Sequence, residues 1–266
     1  MDTSLAIQER FSFAVHIALQ AGYLLKAGFG TSFSIQEKEG RHNLVTDYDH
    51  RSEELILSSI SKAFPEDGFL AEERGASKNT SAAFEWIVDP LDGTVNFAHT
   101  IPVFSVSIGC RWKGETVLGV VYQPITQELF TVQKGKGAYR NVAKLAVILT
   151  TSFNDAIVGS VFPYYLAEDP LYCIQKFSSV LARGVPVRRL GVASIDLAYV
   201  ADGRFDGFFE VSLQPWDMAA GLLLIEEAGG KVSDWQGNHL DITSDQPILT
   251  SNGHIHREFQ EILNTP

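Results

Sequence analysis

The stretch Trp86-Ile87-Val88-Asp89-Pro90-Leu91-Asp92-Gly93-Thr94-Val95-Asn96-Phe97 constrains this chain more than any other. An apolar run closing on Asp89 reads as a buried strand that delivers a carboxylate to its own C-terminal edge. Pro90 has no N–H to donate, which is expected to stop the ladder there. Asp92 follows in a turn, and Gly93-Thr94 offers a backbone that can come close to a ligand. Two carboxylates on a tight turn beside exposed N–H groups suit hard divalent cations and phosphate oxygens. The expectation is metal-assisted phosphate chemistry.

Composition narrows the partners. The formal net charge of −11 repels anions and argues against nucleic acid. A phosphorylated substrate is compatible with that charge only through bound cations, which also let converging carboxylates coexist. With 45% hydrophobic residues the chain can bury a substantial core. Its longest apolar run, Met218–Ile225, is far too short for a membrane span. The start, Met1-Asp2-Thr3-Ser4, lacks a basic segment and a long apolar stretch, so no secretory signal is expected and the cytoplasm is the default. Cys110 and Cys173 are too few for a disulfide scaffold or thiolate zinc site and are expected to be buried. The histidines form no His-x-x-x-His pair, and His254-x-His256 is expected to face solvent. No Ser-His-Asp or Cys-His grouping is evident.

Residues 4–28 repeat apolar positions at helical spacing, and a second helix is expected from Asp49 to Phe64, ended by Pro65. Between them, Glu37–Thr46 is polar and reads as an exposed segment. Val103–Cys110, Val117–Tyr122 and Glu128–Gln133 read as strands of an antiparallel meander. Gly135-x-Gly137 lacks the helix start of a nucleotide loop and reads as a turn. Beyond it, strands at Ala156–Ser160, Val185–Arg189, Phe205–Glu210, Lys231–Ser233 and Pro247–Ser251 alternate with helices at Pro170–Ala182, Ser194–Ala201 and Trp216–Ala228. The expected organisation is a first α+β half over 1–150 and a mixed α/β half over 151–266.

Asp217 follows Trp216 and opens an apolar helix, where it is either a cap or a ligand. Glu72-Glu73, taken alone, belongs to an ordinary charged turn. Thr94 begins a short helix as a cap, and free N–H groups of Gly93 and Thr94 at a helix start favour an anion.

Three ordered blocks together resemble the inositol monophosphatase family: Glu72-Glu73, the Asp-Pro-Leu-Asp-Gly-Thr segment 89–94, and Trp216-Asp217-Met218-Ala219-Ala220-Gly221 running on to Glu227-Ala228-Gly229-Gly230. The resemblance implies a layered αβαβα sandwich, with an antiparallel sheet in the first half, a mixed sheet in the second and a shared cleft. It implies Mg2+ as cofactor, held by Glu72, Asp89, Asp92, Asp217 and the carbonyl of Leu91, all oxygen donors. Glu72 and Thr94 are implied to activate water, with Asp49 buttressing Thr94. Asp49 has the alternative of capping the second helix, and Asp47 is near enough for a slipped register. Gly191-Val192-Ala193-Ser194 resembles a small-residue turn approaching the alcohol. Val192 stands where many relatives carry a small polar residue, so only backbone contacts, from Gly191 and Ala193, transfer. Glu210 matches a carboxylate that bonds sugar hydroxyls, or is an exposed strand edge. Arg188, ahead of Arg189, is the candidate phosphate neutraliser. Substrate contacts thus fall to Glu72, Leu91, Asp92, Gly93, Thr94, Arg188, Gly191, Ala193, Glu210 and Asp217. Lys38 lies near a family loop lysine.

The implied activity is hydrolysis of a phosphate monoester, inositol-1-phosphate foremost, with related sugar phosphates, histidinol phosphate and fructose bisphosphate as alternatives. Lithium sensitivity and a homodimer follow from the same resemblance. A different class of function, association with transcription machinery, also occurs among bacterial relatives.

Overall fold

The computed structural model describes residues 3–37, 44–77, 79, 81–162, 170–243 and 246–265. The first apolar repeat forms helix α1 (Thr3–Gly28), which buries Ile17 and Leu25. Strands β1 (Ile35–Glu37) and β2 (Leu44–Thr46) pair antiparallel, so the ends of the stretch expected to be an exposed segment are a hairpin that buries Val45 and Thr46. Lys38 and Gly40 lie outside the described residues. Helix α2 (Asp47–Ala63) starts two residues earlier than Asp49 because Thr46 caps it: Thr46 Oγ1 accepts from Tyr48 N–H at 3.1 Å.

The main sheet is built from β3 (Gly68–Ala71), β4 (Gly75–Ala76), β5 (Phe84–Asp92), β6 (Ser105–Trp112), β7 (Glu115–Gln123), β8 (Glu128–Gln133), β9 (Gly137–Arg140) and β10 (Ala143–Lys144), with the short helix α3 (Thr94–Ala98) after β5. Its order is β10-β9-β8-β7-β6-β5-β3-β4. The meander from β5 to β10 is antiparallel as expected, but β3 and β5 run parallel, so both point their C-terminal ends at one edge. The ladder also does not stop at Pro90. Asp89 pairs with Ser107 and Asp92 with Ser105, so three steps along β5 oppose two along β6. Pro90, without a donor, sits inside this bulge and the pairing resumes beyond it.

The second sheet holds β11 (Val158–Ser160), β12 (Val187–Arg188), β13 (Gly207–Glu210), β14 (Lys231–Ser233) and β15 (Ile248–Ser251), in the order β12-β11-β13-β15-β14 with parallel and antiparallel pairs. Helices α4 (Pro170–Leu181), α5 (Ala193–Ala201), α6 (Pro215–Glu227) and α7 (His256–Leu263) complete the chain. Helices α1 and α2 cover one face of the main sheet, α5 and α6 lie between the two sheets, and α7, packed with α4, closes the far side. Three apolar cores fill the gaps between these five layers, so the expected αβαβα sandwich is the fold.

Close packing of the middle layer depends on Gly119, where a Cβ would fall 2.8 Å from Ala220 Cα. That contact seats α6 directly on the main sheet and brings its N-terminal turn to the edge where β5 ends. The Gly135-x-Gly137 turn is fastened to the same helix: both N–H groups donate to the Glu227 carboxylate, at 2.6 and 2.8 Å. Cys110 and Cys173 are buried. Among the described residues no helix is long and apolar enough to cross a membrane.

The C-terminal segment overturns one expectation. His256 opens α7 and is 1% exposed, so it does not face solvent. Its ring sits 2.8 Å from both Ser233 Oγ and Ser251 Oγ. Ser233 gives its one proton to the Asp234 carbonyl at 2.6 Å, so His256 Nε2–H is the donor to Ser233 and Ser251 donates to Nδ1. The signal was present in sequence: His256, Phe259, Ile262 and Leu263 form one apolar helical face, all buried.

Candidate active site

The acidic cluster follows from strand register. Ala71 on β3 pairs with Val88 on β5, so the next residue on each strand, Glu72 and Asp89, emerges side by side. Glu72 N–H donates to the Val88 carbonyl at 3.2 Å, which holds that chain against β5. The loop behind Glu72 is anchored from below: Glu53 on α2, 1% exposed, accepts from the N–H groups of Glu73 at 2.8 Å and Arg74 at 3.3 Å. Three residues apart, Asp89 and Asp92 would face opposite sides of a regular strand, and the bulge at Pro90–Leu91 removes that opposition. Ser52 Oγ donates to the Pro90 carbonyl at 2.8 Å and fixes the bulge to α2.

Asp89 is 2% exposed. Burial pushes its carboxyl well above the usual range, and the charges of Glu72, Asp92 and Asp217 push it further, against one hydrogen bond from Leu91 N–H at 2.9 Å. Asp217 supplies its field from the N-terminal turn of α6, where it also accepts from Gln214 N–H at 2.9 Å. It is therefore cap and cluster member at once. Asp92 is raised to about 6 by burial, opposed by hydrogen bonds from Ser194 and Ala193. Among the described residues no three metal-capable side chains are already drawn together around one point. The donor set is nevertheless all oxygen, and the charges acting on Asp89 are all negative, which is the environment a hard divalent cation relieves.

Thr94 stands beside this cluster as the first residue of α3. Gly93 caps that helix in the left-handed region at φ 94°, so Thr94 is not the cap expected from sequence. Thr94 Oγ1 lies 2.7 Å from Asp49 Oδ1 and 3.1 Å from the Leu91 carbonyl. Asp49 is fully buried and serves both roles its position allowed: its Oδ2 accepts from Thr46 N–H at 2.8 Å and Thr46 Oγ1 at 2.6 Å, while Oδ1 meets Thr94. Burial raises its carboxyl and the Thr46 and Thr94 bonds counter that. Asp47 instead accepts from Ser34 N–H at 3.1 Å, away from Thr94.

The second half brings the turn Gly191–Ala193 to this edge. Asn96 Nδ2 donates to the Val103 carbonyl at 2.9 Å and to the Leu190 carbonyl at 2.8 Å, which ties α3 to that turn. Gly93 is required beneath it, since a Cβ there would lie 2.8 Å from Val192 Cγ2. Glu210, at the end of β13, is 1% exposed rather than an exposed edge. Burial raises its carboxyl, while the Val211 N–H bond at 2.8 Å and the Arg189 charge oppose that; its Oε2 has no hydrogen-bond partner among the described residues. Of the two arginines, Arg189 is the one whose charge reaches Glu210; its guanidinium lies over the Phe162 ring, 5.0 Å from the centroid. Both arginines are exposed; Arg188, the last residue of β12, donates to the Val187 carbonyl at 3.4 Å, so the pair is told apart by the Arg189 charge acting on Glu210.

Sequence reasoning missed Ser105 and Asp196, and named Ser194 only as part of the small-residue turn. Asp196 on α5 is fully buried, both its oxygens lack hydrogen bonds among the described residues, and burial, with the charges of Asp92 and Glu210, raises its carboxyl well above the usual range. An aspartate inside the apolar run Ala193–Ala201 was the available signal.

The chain is similar to known proteins along most of its length. The model of the inositol monophosphatase family matches residues 6–265. An inositol-1-monophosphatase of Mesorhizobium japonicum is 41% identical over 253 residues, covering 95% of each chain. The Nus factor SuhB of Escherichia coli is 40% identical over 227 residues, covering 85% of each. A solved inositol monophosphatase from Anabaena superposes with a TM-score of 0.88 at 37% identity, covering 97% of this chain and 96% of that one. This chain belongs to the inositol monophosphatase family and is a phosphatase.

Proposed function

We propose that this phosphatase hydrolyses inositol-1-phosphate with Mg2+ as its cofactor, held by Glu72, Asp89, Asp92, Asp217 and the Leu91 carbonyl. The observation that carries this reading is the environment of Asp89: three further carboxylates, from the end of β3, the bulge of β5 and the first turn of α6, all bear on one buried acid. Such crowding costs stability unless a cation fills it. When bound there, Mg2+ supplies Lewis-acid polarisation and an acidified water. Glu72, only half-buried, would orient the attacking water and take its proton. Thr94, held by Asp49, fixes the water's second hydrogen-bond direction. Gly93 and Thr94 present backbone to the phosphate. Gly191, Ala193 and Glu210 hold the alcohol, the buried Glu210 carboxylate having one oxygen without a hydrogen-bond partner among the described residues to accept a sugar hydroxyl. Arg189 rather than Arg188 is the cation placed to steady that side.

Inositol-1-phosphate is preferred over related sugar phosphates, histidinol phosphate and fructose bisphosphate because relatives about 40% identical along nearly the whole chain are named inositol-1-monophosphatases. The likeness to Nus factor SuhB supports a second reading, a protein-binding role in transcription. A cytoplasmic setting and a homodimeric form belong to the same proposal and rest on the resemblance. Phosphate release from each of these esters, with Mg2+ and after chelation, tests it. Mg2+-dependent turnover fastest on inositol-1-phosphate is expected. Activity indifferent to chelator would reject the cofactor, and faster turnover of another ester would reassign the substrate.

A further inference from the structure

Asp92 is bound to the opposite sheet's helix layer by direct hydrogen bonds, in addition to any cation. Its Oδ2 accepts from Ser194 N–H at 2.7 Å and from Ser194 Oγ at 2.6 Å. Ser194 Oγ has a single proton, which this second bond uses. The 2.8 Å contact between Ser105 Oγ and Ser194 Oγ therefore runs from Ser105 as donor to Ser194 as acceptor. Both serines are fully buried. A hydroxyl chain of this kind polarises toward the carboxylate, and its last bond is charge-assisted.

The position of Ser194 matters as much as its bonds. It directly follows the turn Gly191–Ala193 and sits in the first turn of α5. The turn's other flank is pinned by Asn96 to the Leu190 carbonyl, and its centre by Val192 against Gly93. The turn thus meets the first half at Leu190 and Val192 and at Asp92, which takes backbone bonds from Ala193 and Ser194 and a side-chain bond from the Ser194 hydroxyl.

We propose that Ser194, with Ser105 behind it, is a positioning residue that fixes Asp92 Oδ2, leaves Oδ1 for the acidic cleft, and makes the cation-binding carboxylate and the alcohol-binding turn one rigid unit. The inference rests on the phosphatase reading above and adds a residue pair to it. Without the Ser194 hydroxyl, Asp92 keeps only amide bonds and turns away from its crowded neighbours. Cation affinity and ester affinity then fall together, because one link serves both.

The test compares full-length wild type, Ser194→Ala and Ser105→Ala. Calorimetric titration of Mg2+ into chelator-stripped protein, without ester, reads the cation site. Initial rates on inositol-1-phosphate separate KM from kcat, and the thermal midpoint without cation reads folding. Ser194→Ala is expected to weaken Mg2+ binding and raise KM each by about tenfold, the scale of one lost charge-assisted bond. Ser105→Ala, one bond removed, is expected to shift both by about threefold in the same direction. Unchanged Mg2+ affinity and KM in Ser194→Ala, a change in only one of them, or an effect confined to the thermal midpoint would overturn the proposal. If Ser194→Ala fails to fold, Ser105→Ala decides by the same criteria. Wild type that binds Mg2+ but hydrolyses no ester counts against the phosphatase reading, and the Mg2+ titrations then decide the positioning role alone.

Discussion

Around the buried Asp89 like-charged carboxylates crowd in, whereas around His256 a buried ionisable ring meets a partner at each nitrogen. Both regions bury polar groups at the end of a strand, and both lie against a helix N-terminus. In the first, burial and like charge raise Asp89, and burial raises Glu210 and Asp196, whose oxygens include some with no hydrogen-bond partner among the described residues. In the second, Ser233 and Ser251 satisfy one neutral tautomer, and Gly253 N–H donates to Ser251 Oγ at 3.0 Å. The difference teaches that this fold can satisfy buried polar groups where its only task is to hold together. The crowded cluster at the β3–β5 edge is therefore the part proposed to take a ligand.

Substitutions should separate the two regions cleanly. Asp89→Asn is expected to lower kcat/KM on a phosphate monoester by roughly a thousandfold or more, as loss of a central electrostatic group does. The same variant should melt a few degrees higher than wild type without cation, since it removes a buried charge opposed by its neighbours. Near-full turnover, or a lower midpoint, would break the contrast. His256→Ala should do the reverse. It leaves Ser233 and Ser251 without their ring partner and opens a cavity, at a cost of about 2–4 kcal/mol, with KM unchanged. Denaturant titration measures it; a cost under about 1 kcal/mol would show the ring to be dispensable.

The pH dependence sharpens the comparison. Burial lowers His256 to about 4 from 6.5, so the unfolded chain takes up that proton first. Its contribution to stability is whole above 6.5 and is lost as pH falls toward 4. Asp89 is raised above 3.8, so the folded chain takes its proton first; that contribution is present in acid and is lost as pH rises through the raised value. In chelator-stripped protein, unfolding free energies across this range should fall more steeply with acid in Asp89→Asn than in wild type, and less steeply in His256→Ala. The opposite ordering would mean the two groups are wrongly assigned.

A smaller effect lies at the junction. Gly93→Ala places a Cβ against Val192 at a backbone φ of 94°. It should cost about 1–3 kcal/mol and raise KM. Adding Val192→Ala should recover the steric part and not the conformational part, which thermal midpoints of the single and double variants would resolve.

Much of the site was legible in sequence because its signals are local. An apolar run ending on Asp89, a glycine at 93 and an aspartate opening an apolar helix at 217 each break the rule for ordinary surface acids. The layer order followed from the alternation of elements and from the resemblance. What stayed hidden depends on register and long-range pairing. The parallel β3–β5 pair that sets Glu72 beside Asp89 is invisible to periodicity, and so is a bulge that absorbs Pro90 instead of ending the ladder. Ser105 and Ser194 look like filler in apolar segments until they meet across 89 positions of sequence. Which of Arg188 and Arg189 acts on Glu210 was likewise not legible, because strand alternation needs a fixed frame and no single-residue cue supplies one. His256 was misplaced because polar neighbours in sequence concealed a short amphipathic helix.

The central claim is that carboxylates from both sheets' neighbourhoods share one cation. Anomalous diffraction from crystals soaked in Mn2+, a stand-in for Mg2+, tests it most directly. The account predicts ion density within bonding distance of Asp89 together with Glu72, Asp92 or Asp217. Density elsewhere on the molecule, with Asp89 unligated at saturating Mn2+, would contradict it.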